Sequence, residues 1–199
     1  MSQKLSVREL AEFVCRSGDL YSRAEGRRID ALDGIRAQEV LRERRKNKYT
    51  QYSSEVAFKH DFTLANEETT LSGRADGLLI TQKGCVLEEY KACGKFPVQP
   101  NQVDVGQLMI YGAMLAMRSE LSIASLKLIY VQADTFEEKC FSYEFDNSEL
   151  KQMLAFMLLC FDLRRRRHWH RTAERHSWLA HKKFPYPDFR FGQRALAGR

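Results

Sequence analysis

The sequence predicts an α/β domain in which a central mixed sheet is flanked by helices and the last helix is long and basic. Three observations lead there. Residues 51–64 alternate apolar and polar positions with a period of two, and 71–91 read as two strands joined at a Lys83-Gly84 turn. Residues 7–14, 30–44, 102–117 and 147–181 instead carry apolar residues at helical spacing. Their order along the chain is helix, helix, three strands, helix, two strands and a long helix, the mixed sequence of elements expected of one α/β layer structure.

Each element follows from its residues. Ser6-Val7-Arg8-Glu9 has the pattern of a capping box, and Val7, Leu10, Ala11, Phe13 and Val14 continue it as a short amphipathic helix ending near Gly18. The second helix, 30–44, is expected to turn Leu32, Ile35 and Leu41 inward and to keep a charged outer face that runs into residues 42–48. In 51–64, Val56, Phe58, His60 and Phe62 share one face and Glu55, Ala57, Lys59 and Asp61 the other, so His60 reads as a core residue. Residues 71–91 form a hairpin about Lys83-Gly84. A loop with Gly94, Pro97 and Pro100 leads to the helix 102–117, whose core residues are Leu108, Ile110, Met114 and Leu115. Strands at 125–132 and 138–145 precede the last helix, whose buried stripe is Leu150, Leu154, Met157, Leu158 and Phe161.

Composition narrows the class. With 44% hydrophobic residues in 199, the chain can bury one sizeable core. No apolar run is long enough to span a membrane and no signal-peptide core opens the chain. Five scattered cysteines suit reduced thiols in a cytoplasm rather than a disulfide framework. The net charge of +6 is local, because residues 164–183 hold eight Lys and Arg against one acid, Glu174. Nucleic acid is the commonest partner of such a patch, and a solvated helix face is the plainer reading.

The hairpin carries the chemistry. Glu89 and Lys91, two apart on a strand, face the same way, and Asp76 on the preceding strand lies near both in the simplest register. Two carboxylates and an ammonium are costly to bring together unless something binds between them, and a hard divalent cation such as Mg²⁺ suits that set.

Gly73-Arg74-Ala75-Asp76-Gly77 followed by Glu89-x-Lys91 resembles the signature of the PD-(D/E)XK nucleases, in its RecB-like form. Gln107 and Tyr111, on one helix face sixteen residues after Lys91, match the QxxxY motif that follows in that family. The resemblance implies a restriction-endonuclease-like core. It also implies Mg²⁺ or Mn²⁺ held by Asp76, Glu89 and the Tyr90 carbonyl, with Lys91 orienting water or stabilising the phosphate. Glu55 matches an acid that precedes the motif aspartate, though an outward strand glutamate explains it equally well. The family's usual histidine within G-I-R-A-H is replaced here, since Gly34-Ile35-Arg36-Ala37 runs into Gln38, a weaker oxygen donor. Lys95, Gln107, Tyr111 and Arg164, Arg165, Arg166 and Arg167 would contact DNA. Relatives with an iron–sulfur cluster carry three clustered late cysteines; only Cys140 and Cys160 stand late here, so no cluster is expected.

The opening residues, and Phe184-Pro185-Tyr186-Pro187-Asp188-Phe189-Arg190-Phe191-Gly192-Gln193, resemble the nuclease domain ahead of bacterial DinG/XPD-like helicases and the start of the helicase core. This divides the chain into a nuclease domain, 1–183, and a helicase-like start, 184–199, without a phosphate-binding loop. The expected function is metal-dependent hydrolysis of DNA, with exonuclease action on single-stranded or unwound DNA in repair or helicase-coupled processing. The partners would be DNA and a helicase domain, with no membrane. A nuclease-derived DNA-binding module that has lost catalysis, and a protein-interaction domain using the basic helix, are the competing readings.

Overall fold

The computed structural model describes residues 3–16, 30–64, 67–118 and 122–181. Among these the elements run β1 (Gln3–Ser6), α1 (Val7–Cys15), α2 (Ala31–Lys48), β2 (Tyr52–Leu64), β3 (Glu67–Thr81), β4 (Gly84–Cys93), α3 (Gln102–Arg118), β5 (Ile123–Gln132), β6 (Glu138–Tyr143) and α4 (Asn147–His181). The architecture is α/β, a mixed six-stranded sheet with four helices, as expected. Only β1, four residues long, is an addition to the predicted order. The chain divides into two compact units, Met1–Asp162 and Leu163–Arg199. The expected helicase-like segment 184–199 lies outside the described residues. No described helix is long and apolar enough to cross a membrane.

In the first unit the strand order is β1-β3-β4-β5-β6, with β2 also paired to β3. β2 runs antiparallel along nearly all of β3. The opposite edge of β3 is therefore shared. β1 pairs parallel with its first half, from Thr69 to Ser72, and β4 pairs antiparallel with its second, from Gly77 onward. Between them, Gly73 to Asp76 have no strand neighbour on that edge among the described residues. Beyond β4, β5 is parallel and β6 antiparallel.

Two cores cover the two faces. On one, α1, α3 and the first half of α4 pack over Leu71, Ala75, Leu87, Leu126 and Leu128. Leu150, Leu154, Met157, Leu158 and Phe161 are all buried there, as the stripe predicts. On the other face Ala37 and Leu41 of α2 meet Tyr90, Ile129 and Val131. Helix starts are capped, the first as its sequence suggests. Ser6 Oγ accepts the Glu9 N–H at 3.1 Å and Asp30 caps α2, while Asp146 Oδ1 takes the N–H groups of Ser148 and Glu149.

The face of α2 toward the sheet differs from expectation. Leu32 and Ile35 are exposed among the described residues, and only Ala37 and Leu41 are buried. The side toward the sheet carries Gln38, Arg42 and Arg45 instead, at the i, i+4 and i+7 positions that share a helix face. Each reaches a polar group on a strand: the Tyr90 carbonyl, Asp76 and Glu88 respectively. Partial burial of the two arginines is tolerated because each is paired with a carboxylate.

Both β2 and β3 turn over at one height. Leu71 and Ala75 face the α3 core, and so does Leu78, three residues on, a spacing that a regular strand forbids. On β2, Val56 and Phe58 face the same core, whereas the Tyr52 hydroxyl, four residues from Val56, meets that of Tyr90 on the α2 side. The switch falls at Asp76 and at Glu55, which the flanking pairs Ser54↔Gly77 and Val56↔Ala75 set opposite each other. Glu55 adopts φ 55°, a left-handed conformation that a non-glycine residue holds only at some cost. Gly77 is required beside it, since a Cβ there would overlap the Tyr52 ring.

Candidate active site

The site forms where β1 and β4 part along the edge of β3. The β3–β4 ladder ends at Gly77↔Glu88, one pair short of Asp76 and Glu89. The groups that the ladder leaves free are taken by side chains. Asp76 Oδ2 accepts the Tyr90 N–H at 2.8 Å, and the Tyr111 hydroxyl accepts the Arg74 N–H at 3.0 Å. Gly73 lies against Tyr111 and Val7 with no room for a Cβ, so α1 and α3 press directly on this gap.

Asp76 is half enclosed by charge. Its Oδ1 accepts from Arg42 at 2.8 Å, and the same guanidinium reaches Glu55 at 3.2 Å. Arg74 lies 3.3 Å from the other Glu55 oxygen. Burial opposes the Arg42 charge, but Asp76 and Glu55 outweigh it and raise its pKa above the ordinary arginine value. Arg42 Nε is buried with no partner among the described residues.

Glu89 and Lys91 face α3 together. Glu89 is 3% exposed, and its Oε1 accepts from Lys91 Nζ at 2.9 Å. Its Oε2 is buried with no partner among the described residues. Burial pushes the Glu89 carboxyl up to about 7; Lys91 works against that rise and the charge of Asp76 adds to it. Lys91 also donates to Gln107 Oε1 at 2.9 Å and lies 3.8 Å from Asp104. Asp104 is itself held by the Tyr130 hydroxyl at 2.7 Å.

The sequence-predicted residues therefore fall into three groups. Asp76, Glu89, Lys91, Gln107 and Tyr111 come together around the gap, and Glu55 joins them through Arg42. Gln107 and Tyr111 are buried, and their polar ends hold Lys91 and the Arg74 backbone. Gln38 also arrives at the site, but as a donor, giving its Nε2–H to the Tyr90 carbonyl at 3.1 Å. Lys95 is exposed on the loop after β4. Arg164, Arg165, Arg166 and Arg167 belong to the second unit, along α4.

Sequence reasoning misses Arg42 and Asp104, and a second buried network on the α2 face. There Glu88 Oε2 accepts from the Tyr90 hydroxyl at 2.6 Å and from Arg45 at 3.2 Å. Arg45 continues to Glu138 at 2.6 Å, and Tyr52 meets the Tyr90 hydroxyl at 2.7 Å. The signal for Arg42 and Arg45 is their spacing from Gln38, which places all three on one face.

The donor set suits a hard cation. Two carboxylates, one carrying a buried oxygen without a partner among the described residues, and a backbone carbonyl with a second lone pair fit Mg²⁺ or Mn²⁺ completed by water. No group of three or more His, Cys, Asp or Glu side chains converges among the described residues. All five cysteines are free thiols.

Neither a family model nor a curated protein matches the chain. Its fold is similar to a solved structure titled "Crystal structure of SSO0001", with a TM-score of 0.53 and 15% identity, covering 80% of this chain and 77% of that one. At that identity the likeness concerns the fold alone.

Proposed function

We propose that this chain is a divalent-metal-dependent deoxyribonuclease of the RecB-like PD-(D/E)XK kind, with a restriction-endonuclease-like core. The observation that carries the reading is Glu89 Oε2, a carboxylate oxygen buried without a partner among the described residues beside Asp76, while Lys91 holds the other oxygen at 2.9 Å. A buried polar atom left without a partner costs roughly 1–3 kcal/mol, and function is a common reason for keeping one.

Asp76, Glu89 and the Tyr90 carbonyl would hold Mg²⁺ or Mn²⁺. A cation there supplies Lewis-acid polarisation of a phosphodiester and a more acidic water. The chain's own residues do the rest. Lys91, fixed between Glu89 and Gln107, presents a positive charge where a phosphate would gain negative charge. Gln107 sets the ammonium in place, and Tyr111 holds the Arg74 backbone and with it the approach of Asp76. The arginines of α4 supply sequence-independent phosphate contacts. Replacing Arg164, Arg165, Arg166 and Arg167 by Gln is expected to reduce the slope of log affinity against log salt for DNA by roughly one unit per lost contact.

The deciding experiment incubates end-labelled single- and double-stranded DNA with the chain in Mg²⁺, Mn²⁺ or EDTA. Metal-dependent shortening supports the reading, and products shortened from one end support exonuclease action. Binding without cleavage in either metal would instead support a DNA-binding module that has lost catalysis. Arg42 on Asp76 and Gln38 on the Tyr90 carbonyl are the observations that favour that second reading.

A further inference from the structure

Arg42 holds the carboxylate that the proposed cation needs. Its guanidinium bonds Asp76 Oδ1 at 2.8 Å and reaches Glu55 at 3.2 Å, so it supplies positive charge at the Asp76 end of the site. Two further observations mark this as a seat that can be vacated. Arg42 Nε is buried without a partner among the described residues, so the arginine is incompletely satisfied where it sits. It also borders a cleft of about 570 Å³ lined by Glu39, Glu43, Lys46, Ser54 and Glu55. Glu39 is exposed in that cleft and has no partner among the described residues, so it offers the guanidinium a second carboxylate within the same cleft.

We propose that Arg42 is a built-in counter-ion. It neutralises Asp76 in the cation-free protein and gives way into the Glu39 side of the cleft when a divalent cation takes the carboxylate. The inference rests on the metal-site reading above and adds its regulation: cation binding is a competition with Arg42, and the released guanidinium becomes available to a phosphate beside the site. An arginine that only positioned Asp76 for the metal would have the opposite effect on affinity, which makes the two roles separable.

The test measures Mg²⁺ and Mn²⁺ binding to the chelator-treated full chain by calorimetry, with no DNA present. Arg42→Met keeps the side-chain length and removes the charge, and is expected to bind either metal about tenfold or more tightly than wild type. Arg42→Lys, which cannot bridge two carboxylates in the same way, should fall between them. The rise in melting temperature on adding metal should follow the same order, and it is readable even if one variant is less stable without metal. Equal or weaker metal binding by both Arg42 variants would overturn the proposal while leaving the metal site intact. Asp76→Asn separates the two readings: metal binding that survives it unchanged would sink the metal site itself, and this inference with it.

Discussion

Glu88 and Glu89 are neighbours on β4, each 3% exposed, and they point to opposite faces of one sheet. Glu88 is closed in by Tyr90 and Arg45, whose further bonds to Tyr52 and Glu138 complete the network. Glu89 has one oxygen on Lys91 and the other on no described residue. Equal burial thus hides opposite electrostatic states. A buried carboxylate surrounded by donors holds elements together, whereas one left half-satisfied beside a second carboxylate is poised for something that is not protein.

The sharpest way to break this contrast is by substitution at both positions. Glu89→Ala, like Asp76→Ala, is expected to lower DNA cleavage by roughly a thousandfold in an end-label assay. It should leave the melting temperature unchanged or slightly higher, since removing a desolvated carboxylate offsets the side-chain volume lost. Glu88→Ala should do the reverse. It leaves the Tyr90 hydroxyl only Tyr52 and takes away half of the Arg45 pairing, and should cost about 3 kcal/mol in denaturant unfolding. Cleavage by the folded fraction of that variant should persist. Equal losses of stability from both substitutions would erase the distinction.

A smaller effect lies in pH. The Glu89 carboxyl is raised from an ordinary 4.5 to about 7 in the folded state. A raised carboxyl stabilises the fold fully below its unfolded value, and that contribution is lost as pH rises through the folded value. Metal-free wild type should therefore lose thermal stability between about pH 5 and pH 7, whereas Glu89→Gln should show a flatter profile. A slope that persists unchanged in Glu89→Gln would place the titrating group elsewhere.

The smallest effect expected is at Gln38. Its side chain already reaches the Tyr90 carbonyl, so Gln38→His would set an imidazole beside the same strand. Activity should rise several-fold with Mn²⁺ and less with Mg²⁺, because imidazole suits the softer ion. Comparing initial rates in the two metals checks this, and equal changes in both would mean the ring does not reach the cation.

Much of this arrangement is legible in the amino-acid sequence alone. The strands, the helices and the shared faces of Glu89 with Lys91 and of Gln107 with Tyr111 follow from spacing, because strand and helix periods fix which residues share a face. Asp76 follows from the simplest hairpin register, and Gln107 is expected at the site only from the family resemblance. The α2 interface is not legible in that way. Arg42 and Arg45 look like a solvated face when read locally, and they are buried only because Asp76 and Glu88 arrive from strands more than thirty residues away. β1 is too short to show a period. The turnover at Glu55 is hidden as well, since a glutamate gives no sign of the left-handed backbone it takes there.

That turnover bears on how reliably the sheet assembles. In a regular pair of strands, sliding one along the other by two residues keeps every side chain on its proper face, so it is the cheapest mistake available to a folding chain. Here β2 and β3 both exchange faces, at Glu55 and Asp76, and must do so at the same height. A two-residue slide would put the exchanges out of step and leave a stretch in which apolar side chains of one strand sit opposite the polar side chains of the other. The bend that delivers Asp76 to the edge of the gap thereby acts as a key, admitting a single alignment of the two longest strands.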